Sequence, residues 1–225
     1  MLKLPEELFP FFKKLERNNN RDWFEVNKPQ FKEIESQVKI FGEQLKETLA
    51  LTEYVDQVKL FRIYRDVRFS KDKTPYKTHF GLSFHREKPV HRGGYYIHIK
   101  PKDCFIACGF WGPNKEDLLR IRKEMELAPD EFRTLIKQPN FKSTWGALQG
   151  DEVKTAPKGF SKDDPNIDLI RKKMYLFRKN FTDAEVLRAD FFERIIDDFK
   201  AIRPFLDYMS SVLTTDLNGV SILEN

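Results

Sequence analysis

Tyr95-Tyr96-Ile97-His98-Ile99-Lys100-Pro101-Lys102-Asp103-Cys104-Phe105-Ile106-Ala107-Cys108-Gly109-Phe110-Trp111 decides the fold of this chain. Aromatic and branched residues lie on either side of Pro101-Lys102-Asp103, which reads as a hairpin turn between two strands, Tyr95–Lys100 and Cys104–Trp111. Side chains alternate across a strand. Tyr95, Ile97 and Ile99 therefore share one face, and Tyr96, His98 and Lys100 the other. The first set is a core face, so His98 is expected on the polar side or in a cleft.

Outward from this hairpin the same strand composition recurs in Val58–Tyr64 and Phe80–Arg86 upstream and in Tyr175–Phe181 downstream, with Gly93-Gly94 as a turn or bulge. The termini have helical spacing. Pro5-Glu6-Glu7 opens a helix bearing Leu8, Phe11, Phe12 and Leu15, and Asn18-Asn19-Asn20 ends it. Asn20 can cap a short turn through Trp23 and Phe24. Pro29 suits the first position of a longer helix with the stripe Phe31, Ile34, Val38, Phe41, Leu45 and Leu49. Asn114 and Pro129 open two more helices, and Asp164-Pro165 reads as cap and first residue of another, with Arg171-Lys172-Lys173 on its solvated face. Thr182-Asp183-Ala184-Glu185 is a capping box opening a helix that should end at Pro204. The expected class is α+β: a central antiparallel sheet of four or more strands flanked by N-terminal and C-terminal helices. No linker composition separates two halves, so residues 1–225 are expected to form a single domain.

Charge is concentrated in one stretch. The chain carries +5 overall, yet Val58–Asp103 alone holds 12 Lys/Arg against 4 Asp/Glu, with all four histidines, His79, His85, His91 and His98. Within it, Arg62–Lys77 contains Arg62, Arg65, Arg68, Lys71, Lys73 and Lys77 against Asp66 and Asp72. Guanidinium forks and ammonium groups at this density suit carboxylate or phosphate recognition. In this reading Arg62, Arg65 and Arg68 form a clamp and Lys71, Lys73 and Lys77 a neutralising wall. Asp66 and Asp72 orient the arginines. His79, His98 and Tyr76 are candidates for proton transfer or polar positioning. The alternative is an internal ion-pair network that ties a loop to the sheet.

Other chemistries find little support. The histidine spacings match no metal-ligand pattern and the surroundings are cationic, so no metal site is expected. There is no Gly-rich phosphate loop, no G-x-S-x-G elbow and no H-E-x-x-H, and no cofactor is implied. Cys104 and Cys108, four residues apart on a strand, would lie about 13 Å apart at ~3.3 Å per residue, too far to bridge, and read as small buried hydrophobes. Without a signal-peptide core or a membrane-length apolar run, the expected location is cytoplasmic.

Asn18-Asn19-Asn20-Arg21-Asp22-Trp23-Phe24, the Arg62–Lys77 block, Gly94-Tyr95-Tyr96-Ile97-His98-Ile99, Gly109-Phe110-Trp111-Gly112-Pro113 and Pro157-Lys158-Gly159-Phe160 occur in an order that resembles the family called domain of unknown function 2461. The resemblance runs from about Leu4 to Phe205. It implies a single domain and supplies no activity, substrate or catalytic residue. The residues themselves point to a basic cleft for a phosphorylated or carboxylated small molecule, with an enzyme acting on that ligand as one form of the reading. A nucleic-acid partner is the alternative, since Tyr64, Phe69, Tyr76, Tyr95 and Tyr96 interleave with the basic groups. A scaffold or interaction domain is the third. No membrane partner is expected, and the sequence leaves the oligomeric state open.

Overall fold

Apolar spacing at the N-terminus produces two helices, as described by a computed structural model covering residues 2–223. Helix α1, Leu8–Arg17, buries Leu8, Phe11, Phe12 and Leu15. Asn20 then caps α2 by accepting from the Trp23 amide at 2.9 Å. Here the structure departs from the expected short turn and separate helix, because α2 runs unbroken over Arg21–Glu53 with Pro29 inside it. A proline there forfeits one ladder bond and costs about 3 kcal/mol. Phe24 and Phe31 lie seven residues apart on the same buried stripe as Ile34, Val38 and Phe41. Each is worth roughly 1.5–3 kcal/mol of burial. One continuous apolar face outweighs one lost hydrogen bond.

Tyr54 adopts a left-handed conformation, φ 56°, and turns the chain directly into strand β1, Val55–Leu60. This strand starts and ends earlier than the expected Val58–Tyr64. The sheet continues through β2 (Phe80–Arg86), β3 (Gly94–Ile99), β4 (Cys104–Phe110) and β5 (Tyr175–Phe181). It is antiparallel, with its strands side by side in sequence order. The turn at Lys100–Asp103 forms as expected. Its third residue, Lys102, takes φ 66° after Pro101, and the Asp103 amide donates to the Lys100 carbonyl at 3.0 Å. Tyr95, Ile97 and Ile99 are buried, with Tyr96 and His98 half-buried on the opposite face. Cys104 and Cys108 are buried free thiols.

The remaining helices are α3 (Lys115–Leu127), α4 (Pro129–Lys137), α5 (Pro139–Trp145), α6 (Ile167–Ile170), α7 (Asp183–Val186) and α8 (Phe191–Thr214). Asn114 caps α3 by accepting from the Asp117 amide. Asp164 instead accepts from the Asn166 amide in the turn before α6, so Pro165 precedes that four-residue helix. Arg171 and Lys172 follow α6 and pair with Glu152. The Thr182 capping box is present, yet it caps only α7, and the chain restarts as α8. Pro204 lies inside α8, again because the buried series Phe199, Ile202, Phe205, Leu206 and Met209 continues across it.

Contacts gather the chain into two compact units. The first holds everything up to Phe84 together with Tyr96–Ile106 and Asn180–Asp197; the second holds His85–Tyr95, Ala107–Lys179 and Asp198 onward. The boundaries fall inside β2, β3, β4, β5 and α8 rather than in linkers. The first unit is built on Phe12 and Phe31 against Phe80, with ring centroids at 5.0 and 5.8 Å. In the second, Phe177 and Phe132 meet Phe205, and the Trp145 indole donates to the Asp198 carbonyl at 3.1 Å. No helix among the described residues is long and apolar enough to cross a membrane.

Candidate functional site

The basic block folds as a hairpin. The Lys77 amide donates to the Ile63 carbonyl at 2.7 Å and the Arg65 amide to the Pro75 carbonyl at 2.9 Å, so that Tyr64 bridges Tyr76. Asn19 anchors this base from outside, accepting from the Tyr76 amide at 3.1 Å and donating to its carbonyl at 2.9 Å. The Tyr76 ring stacks on Phe24 at 4.0 Å and is only 4% exposed. That environment makes Tyr76 a core residue.

Beyond the base, most of the charge is spent internally. Arg65 reaches Asp72 and Thr74, and Asp72 also accepts from the Thr74 amide at 2.9 Å. The Thr74 amide first, then Arg65, pull the Asp72 carboxyl down to about 2. Arg68 grips Asp66 through Nε at 3.0 Å and Nη2 at 2.7 Å, which holds Asp66 below the usual carboxylate range. Lys73 donates to the Val67 carbonyl and Lys77 to the Arg62 carbonyl, each at 2.9 Å. Asp66 thus holds Arg68, and Asp72 holds Arg65. The three arginines are not gathered into one clamp. Arg62 lies along a groove beside α2, and Lys71 makes no ion pair among the described residues.

Lys77 leads to a different group of side chains. Its Nζ stands over the Phe61 ring at 5.7 Å, opposite a strand face that carries His79, Gly81, Tyr96, His98 and Phe105. His79 meets His98 at 4.3 Å between centroids, and His98 stacks on Phe105 at 4.7 Å with 15° between planes. Both spacings match the roughly 4.8 Å between neighbouring strands, so His79 just before β2, His98 on β3 and Phe105 on β4 form a ladder of rings. Tyr96 Oη lies 3.2 Å from His98 Nδ1. When Tyr96 donates this bond, the His98 proton sits on Nε2. His79 and His98, two separate candidates in the sequence, come together here. Phe105 and Lys100 were not singled out as site residues, although the turn at 100–103 fixes the register that sets His98 opposite Phe105.

A search with family models matches residues 7–208 to one described as Conserved hypothetical protein (DUF2461). The chain belongs to that family. The matched span includes the basic hairpin and the ring ladder. No curated protein and no solved structure matches the chain.

Burial, followed by the nearby His98, Lys77 and Lys100, lowers His79 to about 4, with Asp103 opposing. His79 is therefore neutral at pH 7. No three His, Cys, Asp or Glu side chains among the described residues are placed to hold a metal. A group whose folded pKa lies below its unfolded value of about 6.5 binds fewer protons in the native state. Its contribution to stability is intact above pH 6.5 and is lost as pH falls from there toward 4. Because the ring is half-exposed, the loss should be about 1 kcal/mol after discounting for solvent. Urea titrations between pH 7 and 4 should show that loss in the native protein and its absence in His79→Phe; equal pH slopes for the two would refute the assignment.

Proposed function

We propose that this protein binds a phosphorylated or carboxylated small molecule on the strand face that carries His79 and His98. The observation that carries the reading is the set of charges around His79: Lys77 and Lys100 on one side of the balance and Asp103 alone on the other. A half-exposed face with a positive surplus and imidazole N–H edges supplies charge-assisted donors to an oxyanion. The anion subsite therefore centres on Lys77 and the histidine pair, with Arg62, Arg65, Arg68, Lys71 and Lys73 as its surrounding positive field. A single domain over 1–225 belongs to the same reading, supported by unit boundaries that cut strands rather than linkers.

The test is thermal stabilisation by inorganic phosphate, sulfate and citrate. Ligand at 100 times its Kd adds about 2.7 kcal/mol, or roughly 5–10 °C for a chain of this size. Lys77→Ala should keep its fold and lose most of that shift. Absence of any shift across the three anions, or an undiminished shift in Lys77→Ala, would overturn the proposal.

A nucleic-acid reading draws support from the row Phe61, Tyr96 and Phe105, with successive centroids 6.2 and 6.0 Å apart. It ranks second because the His98 and Phe105 faces are stacked on each other, so this part of the row offers edges to a base. Binding to a single-stranded oligonucleotide that falls steeply with salt would favour it.

A further inference from the structure

Gly81 on β2 leaves room for a ring where a side chain would otherwise stand. A Cβ there would fall 2.5 Å from Tyr96 Oη and 3.2 Å from two of its ring carbons. The phenol of Tyr96 therefore leans from β3 onto β2, with its hydroxyl end over Gly81. A glycine inside a strand often marks such a close approach. Two phenyl rings bracket the phenol. Phe61, whose amide donates to the Gly81 carbonyl, stands on the far side of β2, and Phe105 on β4 stands on the far side of β3. Their centroids lie 6.2 and 6.0 Å from that of Tyr96, with their planes inclined to it by 60° and 49°. Neither of them stacks on the phenol, which is half-buried, in contrast to the His98–Phe105 pair at 15°. A phenol set between two inclined rings offers its face to a further planar group.

The anion site adjoins this aromatic slot. Gly81 lies two residues after His79, and Tyr96 two residues before His98, so in antiparallel strands both lie to the same side of the histidine pair. Tyr96 Oη is 3.2 Å from His98 Nδ1, and the two ring centroids are 6.0 Å apart. Positive charge stands beside the slot as well. The Lys77 and Lys59 ammonium groups lie over the Phe61 ring at 5.7 and 5.4 Å, and Lys77 is also one of the charges acting on His79. All of these residues belong to the first compact unit.

We infer that the anion bound on this face carries an aromatic ring, which stacks on Tyr96 between Phe61 and Phe105 while its phosphate or carboxylate is held at His79, His98 and Lys77. This assignment deepens the anion-site reading above and rests on it. The 6.0 Å between the Tyr96 and His98 rings sets the ligand's reach. Ring and oxyanion are joined directly or through one or two atoms. An aliphatic group would gain only burial on so open a face. A planar ring adds an offset stack on the phenol and contacts with the two inclined phenyl rings.

The test is calorimetric titration of the full chain at pH 7 with two ligand pairs, phenyl phosphate against methyl phosphate and phenylacetate against acetate. In at least one pair the aromatic member should bind about tenfold more tightly, the lower end of what one ring stacked on another contributes. Cyclohexyl phosphate, similar in bulk but not planar, should lose most of that advantage. Tyr96→Phe keeps the ring and removes the hydroxyl, so it should weaken methyl and phenyl phosphate alike and preserve their ratio. Tyr96→Leu should bring the ratio close to one. Binding of methyl phosphate or acetate with no aromatic advantage in either pair would overturn this inference and leave the anion site standing. Failure of all the ligands to bind would overturn both. Cyclohexyl phosphate as tight as phenyl phosphate, or an unchanged ratio in folded Tyr96→Leu, would also overturn the inference. The ligand comparison on the parent protein depends on no variant.

Discussion

Asp207→Ala should destabilise this protein by about 3–5 kcal/mol, and Arg86→Met by no more than about 1–2 kcal/mol, although the two substitutions break the same ion pair. Arg86 Nη2 meets Asp207 Oδ1 at 2.6 Å. The guanidinium side chain is 0% exposed, whereas the Asp207 side chain is 49% exposed. Removal of Asp207 takes the carboxylate at 2.6 Å away from a guanidinium that is fully buried, where charge is costly to hold. Removal of Arg86 in favour of an apolar side chain of similar length keeps the volume filled, and the stranded carboxylate rehydrates where it stands. At roughly 2–4 °C per kcal/mol for a chain of this size, melting should fall by about 10 °C for Asp207→Ala and by a few degrees for Arg86→Met. Equal losses would mean that the pair contributes through packing rather than through buried charge.

The same contrast between local pattern and tertiary burial explains what the sequence conveys. Strand and turn chemistry was legible where it is local. Pro101-Lys102-Asp103 needs only a proline and a residue that tolerates φ 66°, and the hairpin follows. Asn20, Asn114 and Thr182 cap helices because each side-chain oxygen reaches the amide three residues ahead. Helix ends set by proline were misread at Pro29 and Pro204 for one reason. A rule about one missing N–H says nothing of the apolar stripe continuing on both sides, and the stripe wins.

For the candidate site, the density of charge in Arg62–Lys77 was plain, but its disposition was not. Arg65 and Arg68 turn to Asp72 and Asp66 within the loop. Arg62 lies in the α2 groove and Lys77 stands over Phe61 toward the histidines. Alternation along a strand could have separated Arg62 from Phe61 in advance. It could not show that His79, which precedes β2, would stack against His98 on β3, because that contact depends on the offset between two strands joined by a long loop.

Two glycine-to-alanine substitutions should give opposite outcomes, and the difference lies in what the new methyl group meets. At Gly109 on β4, φ is +135°, and a Cβ would fall 2.1 Å from the Tyr175 carbonyl oxygen and 3.1 Å from the Leu176 Cα. Both are backbone atoms of β5, so relief requires the two strands to part, on top of a conformation that only glycine adopts without strain. Gly109→Ala should therefore cost more than about 4 kcal/mol and yield little folded protein, with circular dichroism and thermal melting as the measures. At Gly81 on β2 the Cβ would fall 2.5 Å from Tyr96 Oη and 3.2 Å from its ring carbons. Those atoms are the far end of a side chain that can swing aside, and no positive φ adds strain. Gly81→Ala should leave the melting temperature within a few degrees of the parent and push Tyr96 off His98 Nδ1. The imidazole then loses the hydrogen bond that fixes its tautomer, so anion affinity should fall several-fold in a protein that remains folded. A Gly81→Ala variant that unfolds would show that Tyr96 cannot swing aside, and a folded one that binds anions as the parent does would show that Tyr96 does not position His98 for the ligand.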